Sequence, residues 1–317
     1  MEEKEKNKTI IITYKTNKRG KLKIFGDKFV QNNNKNICIK EEKNLEPTKL
    51  AGAKKINEEI NTITLEINED LSDLSHMFHG CEDFYEISIQ NFKMKKITNF
   101  SAMFCECSSL TNIESLKNWD VSAGTNFQFF FRGCKKLQSL KDLENWNVEK
   151  GKNFRGMFTG CSSLKSLVGL KKWNVSKGEL FGNMFSKCTS LSDISDLGKW
   201  NVKNGTDFKA IFYNCSSLSN ISELYNWNVE NGDSFRYMFT GTKISNLEPL
   251  SNWDVSHGDD FVDMFSQCKE VTNLSPITKW NLTNSEMFIK MFESDSCEEL
   301  KQLEVKDEEK EEELKIK

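Results

Sequence analysis

The seven tryptophans of this chain fall at Trp119, Trp146, Trp173, Trp200, Trp227, Trp253 and Trp280, with intervals of 27, 27, 27, 27, 26 and 27 residues. A second series keeps the same beat. Phe78, Phe104, Phe131, Phe158, Phe185, Phe212, Phe239, Phe265 and Phe292 follow one another at 26 or 27 residues. A unit this small cannot bury an apolar side alone, so successive copies must stack on one another. A length of 317 residues would by itself allow two ordinary domains. The period replaces that expectation with nine copies of one unit.

One clear copy runs from Met157 to Asn183. Phe154, Met157, Phe158 and Cys161 lie at i, i+3, i+4 and i+7, the spacing of one face of a short helix. Leu164, Leu167, Leu170 and Trp173 then follow three apart, which suits a short strand entered and left through bends. Gly124, Gly151, Gly178, Gly205, Gly232 and Gly258 each follow a tryptophan by five residues. A glycine fixed at one place in the unit predicts a turn with positive φ just before the helix. Thr206-Asp207 and Asp233-Ser234 then suit a helix N-cap. The tryptophans continue the leucine series and are expected in the core. The Asp or Asn after each one, such as Asp120, Asn147 and Asn174, is expected to close a local bend through its side chain.

The run Met157-Phe158-Thr159-Gly160-Cys161-Ser162-Ser163-Leu164, with Trp173-Asn174-Val175-Ser176 behind it, resembles the leucine-rich repeats of the BspA-like class. It is closest to the subclass abundant in mycoplasma surface proteins and protist genomes. The stretch from Ile24 to Asn33 is similar to the segment that often precedes such repeats in protist proteins. The resemblance implies a right-handed leucine-rich-repeat solenoid of α/β class, built from nine strand–turn–helix units. It also implies a scaffold without shared catalytic residues, in a family often described as surface or adhesion proteins.

Three segments are expected. Residues 1–62 lack the repeat and alternate in Thr9–Tyr14, Lys21–Phe25 and Asn36–Lys40, which predicts a small β-rich N-terminal cap. Residues 63–305 form the repeats, with Cys297, Leu300, Leu303 and Val305 as an atypical last unit. Residues 306–317 are a charged C-terminal tail. The start of the chain carries no apolar run behind a basic stretch, and no segment approaches a membrane span, so neither a secretory leader nor a membrane span is expected.

The chemistry-bearing residues are few. Cys81, Cys107, Cys134, Cys161, Cys188, Cys215 and Cys268 form a ladder at the repeat period, far from the close spacing of a zinc site. If neighbouring units pack as helices, rungs lie roughly 8–10 Å apart. That exceeds disulfide reach, so packed thiols in a reducing, cytoplasmic compartment are expected. Cys105 and Cys107 form a C-x-C pair, but Cys107 belongs to the ladder. His76 and His79 lie three apart without an evident third ligand. No nucleophile, phosphate-loop or metal-protease motif occurs, so no enzyme activity, catalytic residue, metal or cofactor is expected. A net charge of −3 argues against a nucleic-acid partner.

What remains is surface. Two columns of small, mostly polar residues lie between the leucines: Asn112, Ser139, Ser166, Asp193, Asn220, Asn246 and Asn273, and then Glu114, Lys141, Val168, Ser195, Ser222, Glu248 and Ser275. Val168 and Asp193 break their regularity. These columns are the expected partner-binding surface of a monomeric, non-catalytic protein-interaction scaffold in the cytoplasm. The alternative is a surface-exposed or secreted adhesion protein, reaching the cell surface by a non-classical route.

Overall fold

The computed structural model describes residues 8–40, 48–67, 71–90, 94–282 and 291–292. Phe92, Cys297, Leu300, Leu303, Val305 and the charged tail lie outside them.

The N-terminal part is a β-structure built from β1 (Lys8–Lys15), β2 (Gly20–Lys23), β3 (Ile37–Lys40), β4 (Thr48–Lys49), β5 (Ala53–Ile56) and β6 (Ile60–Ile67). A further strand, β7 (Glu86–Gln90), comes from the first repeat. The larger sheet has the order β4-β3-β6-β1-β7, and β2 pairs with β5. Alternation does the sorting: Ile10, Ile12 and Tyr14 of β1 point to the buried face, opposite Ile63 and Leu65 of β6. Tyr14 meets Phe78 of the first repeat edge-on at 6.0 Å and donates its hydroxyl to the Ile24 carbonyl at 2.7 Å. One element had no counterpart in the sequence reading: the segment after Gly26 forms α1 (Asp27–Asn33), whose buried residue is Phe29.

The strand–turn–helix solenoid is overturned. Among the described residues α1 is the one α-helix, and the repeats hold 3-10 turns, tight turns and isolated parallel bridges, so the fold is mostly β and irregular. The segment expected to be helical shows why. Phe154, Gly156, Phe158 and Gly160 send their N–H groups to Leu180, Gly182, Met184 and Ser186 of the next repeat at 2.7–2.9 Å. Met157, Thr159 and Cys161 between them donate to the carbonyl three residues back. A helix would turn every N–H inward. Here half are spent on the neighbouring copy, and the chain reverses at left-handed residues four apart. Ala102 and Glu106, with φ of 53° and 58°, are one such pair, and Asn183 and Lys187 another at 60° and 59°. The i, i+3, i+4, i+7 spacing is common to a helix and to these consecutive four-residue turns.

Stacking follows from the same bonds. Asp73, Asn99, Asn126, Asn153, Leu180, Asp207, Ser234 and Asp260 are linked pairwise by parallel bridges, one per repeat. Equivalent rings therefore stack nearly parallel: Trp146 on Trp173 at 6.3 Å and 2°, Phe158 on Phe185 at 5.8 Å and 1°. Each tryptophan from Trp146 to Trp280 is buried and donates its indole N–H to the leucine carbonyl of the copy before, as Trp200 does to Leu170 at 3.1 Å. Asp120, Asn147, Asn174, Asn201, Asn228 and Asp254 accept the N–H two residues on, closing the expected bend.

The fixed glycines have another cause than positive φ. None of Gly124, Gly151, Gly178, Gly205, Gly232 and Gly258 is left-handed. Instead a Cβ on Gly178 would sit 2.3 Å from the Phe181 ring and 2.9 Å from the Val175 carbonyl oxygen. The glycine gives a ring three residues later room to turn into the core.

Candidate functional site

The two expected binding columns lie on the solvent side, exposed except for the half-buried Asn112 and Ser166. Most of the first column works locally. Asn112, Asp193, Asn220, Asn246 and Asn273 each accept, at 2.9 Å, the N–H of the residue two ahead, and Ser139 does so at 3.2 Å. The donors are Glu114, Ser195, Ser222, Glu248, Ser275 and Lys141, the second column. Each opens a 3-10 turn: Glu114–Leu116, Ser195–Lys199, Ser222–Asn226, Glu248–Leu250, Ser275–Ile277 and Lys141–Leu143. These bonds satisfy an N–H that the turn itself leaves over.

One copy departs. At Ser166–Leu170 no 3-10 turn forms, and Ser166 pairs with Asp193 in a parallel bridge while Leu167 N–H donates to the Asp193 carbonyl at 3.1 Å. Val168-Gly169 makes a sharp turn with φ of +116° at Gly169. The Asp196 carboxylate of the next copy accepts from Gly169 N–H at 3.0 Å and Lys171 N–H at 3.2 Å. The irregular column members Val168 and Asp193 thus belong to the same break, Asp193 opposite Ser166 and Leu167. Val168 is left 48% exposed in a column otherwise polar. Around it lie Lys165 and Lys171 three residues to either side, and Lys141 and Ser195 at the same register in the flanking copies. A Cβ on Gly169 would lie 2.9 Å from the Lys141 nitrogen, so the two copies are in direct backbone contact here.

A second face was missed from sequence. The left-handed positions carry bulky residues, Phe129 and Tyr237, at φ of 57° and 58°. Arg132 lies 5.3 Å from the Phe129 ring and Arg236 4.7 Å from the Tyr237 ring. The Phe129 ring occupies the space a Cβ on Gly156 would need. Arg155 reaches across a whole copy to the carboxylate of Asp207, with Nε at 3.1 Å. Nothing in the repeat consensus marks these variable positions, because bulky residues normally avoid positive φ.

The cysteine ladder is free and buried. The reason given for that from sequence needs correcting: stacking is at β spacing, about 4.7–4.9 Å, not helix spacing. Distance does not keep the thiols apart. Six of the seven are engaged instead: Cys134 donates to Phe104 O at 3.2 Å and Cys188 to Phe158 O at 3.2 Å, with Cys107, Cys161, Cys215 and Cys268 alike. Burial pushes the Cys188 thiol up to about 12 and the Cys105 thiol up to about 11. Such thiols are poor nucleophiles. In native protein treated with an alkylating reagent, the partly exposed Cys38 is expected to label while Cys161 and Cys188 label only after unfolding, as read by peptide mass spectrometry. Native labelling of Cys188 would contradict the packing.

His76 and His79 stand edge-on at 5.5 Å in tight turns, not on a helix, and they meet the N-terminal part: Gly26 N–H donates to Met77 O at 2.9 Å. Burial lowers both imidazoles, helped by Lys28 at His76 and Lys23 at His79; Asp73 opposes at the first, Glu106 and Asp27 at the second. Among the described residues no three His, Cys, Asp or Glu side chains gather as a metal site. A lowered folded pKa means that protons are taken up on unfolding. Stability is therefore complete above the ordinary value of 6.5 and is lost as pH falls below it. The urea midpoint should drop on acidification through this range, and less so in the double variant His76→Asn, His79→Gln. An equal drop in both would assign the effect to other groups.

These features define a protein of stacked, turn-built repeats with a surface break. The model of the family described as Mycoplasma protein of unknown function, DUF285, matches three times, over residues 72–193, 138–249 and 184–304, and the chain belongs to that family. The match supports the repeat character of the chain; it does not extend to the leucine-rich-repeat assignment. No curated protein and no solved structure matches the chain. Among the described residues no helix is long and apolar enough to cross a membrane.

Proposed function

We propose that this chain is a non-catalytic scaffold whose repeats hold a protein partner on the face centred on Val168. The observation that carries the reading is the broken copy. Six copies present the same capped 3-10 turn and the first has β7 in its place, while the copy at Ser166 has neither, exposes a valine and ties its turn to Asp196. A feature needed only for stacking would follow the repeat. Membership of a repeat family supports the scaffold reading. The column of free thiols supports a reducing, cytoplasmic location. A role at the cell surface is the competing reading, and antibody labelling of intact cells separates the two.

The test is site-directed photocrosslinking in the source cell. A crosslinker at Val168 or Ser195 should capture one discrete partner that a crosslinker at the acidic-flank position Lys269 does not. Equal capture at both positions, or none at Val168, would overturn the reading.

A further inference from the structure

Charge is unevenly distributed along the repeats. Residues 132–209 contain fifteen Lys and Arg against seven Asp and Glu, a net of +8 in a chain of net −3. Residues 210–282 contain four against nine, a net of −5. Part of the excess is neutralised in place, by Lys152–Glu179 at 2.7 Å, Lys172–Glu144 at 3.0 Å and Lys203–Glu230 at 3.1 Å. Lys141, Lys165 and Lys171 are exposed and have no carboxylate partner among the described residues. They are the three lysines that surround Val168.

We propose that the broken copy is a docking site for an acidic polypeptide segment with an aliphatic side chain at its centre, which rests on the scaffold reading above. The exposed valine offers the apolar contact, and the three lysines supply the rim. The two carboxylates of the break, Asp193 and Asp196, accept backbone N–H groups, from Ser195 and from Gly169 and Lys171, and none of the three lysines forms an ion pair with them; an acidic segment supplies that pairing. Rim charges also steer encounter and select the sign of the partner. Backbone geometry supports the site as a fixed one: the Asp196 carboxylate holds the turn from Gly169 to Lys171 from the next copy. The same chemistry argues against a nucleic acid as the occupant, since a phosphate backbone has no use for Val168 at the centre.

The probe is a short fluorescent peptide of glutamate and serine with one central leucine, read by anisotropy against the full chain. It should bind, weaken as salt is raised, and lose about tenfold or more in affinity when Lys141, Lys165 and Lys171 are changed to Glu. Val168→Ser should weaken it several-fold, whereas reversal of Lys243, Lys269 and Lys279 in the acidic flank should leave it unchanged. All seven are surface positions, and circular dichroism checks the fold. No binding of the acidic peptide overturns the proposal, as does equal binding of its lysine counterpart. A single-stranded oligonucleotide that binds with the same residue dependence also overturns it. If the peptide fails while the Val168 crosslink persists, the charge inference falls and the scaffold reading stands; if both fail, so does the scaffold reading.

Discussion

Trp200→Ala should destabilise the protein by about 3–5 kcal/mol. The indole is 3% exposed, stacks on Trp173 at 6.4 Å and 3°, and donates to the Leu170 carbonyl. Truncation removes the ring from the stack, opens a cavity and takes one of two donors from the Leu170 carbonyl, which keeps the Trp173 N–H at 3.1 Å. Each loss has its own scale: a large aromatic buries about 150–250 Å², and the lost hydrogen bond contributes about 0.5–1.5 kcal/mol. The loss should spread, because stacked repeats draw stability from the interface with each neighbour. Hydrogen exchange should quicken at Trp173 and Trp227 as well as at position 200, while β1 and β6 stay protected. Denaturant unfolding gives the total. Trp200→Phe keeps a ring and loses the N–H, and should fall between the two. A change near zero for Trp200→Ala would mean that the tryptophan column does not carry the core.

How far the sequence discloses this molecule depends on which force is being read. Burial was legible: the columns of Trp, Phe, Leu and Cys mark the interior because each is set by one local environment repeated. Hydrogen-bond direction was not. Phe154, Met157, Phe158 and Cys161 have the spacing of a helix, yet alternate N–H groups leave for the next copy, and side-chain periodicity does not record where an N–H goes. Gly178 was legible as an exception and misread in kind, since a fixed glycine signals either a left-handed turn or a close approach. Here Phe181 supplies the approach. The left-handed residues are elsewhere, at Phe129, Tyr237 and the other turn positions, of which some, such as Gly156, Gly160 and Gly241, are glycine and others are not, so no fixed glycine marks them. At the candidate site the sequence marked Val168 and Asp193 as irregular. It did not show that they share one break, because that depends on the register of Ser166 against Asp193, as does the hold of Asp196 on Gly169.

Gly169→Ala is the sharpest test of that hold. Two independent penalties apply. The φ of +116° is a conformation that residues with a Cβ rarely adopt, and the new Cβ would lie 2.2 Å from the Leu140 carbonyl oxygen and 2.6 Å from its carbon. Those neighbours are backbone, so no side-chain rotation relieves the clash. The strain of a sparsely populated φ is about 1–3 kcal/mol and overpacking about a further 1–3, so a loss of about 2–6 kcal/mol is expected if the turn keeps its shape. Relaxing into the 3-10 turn of the flanking copies would lessen the cost, but it would break the two bonds to Asp196 and withdraw Val168 from its present position. Stability and binding therefore trade against each other in this variant. Either the fold loses stability, seen as a lower denaturant midpoint and faster exchange at Leu140 and Leu167, or the turn converts and the acidic peptide no longer binds. Asp196→Asn, which keeps the shape and removes the charge, should give a much smaller change in both. A Gly169→Ala protein with unchanged midpoint and unchanged peptide affinity would show that the broken copy is not held by its backbone.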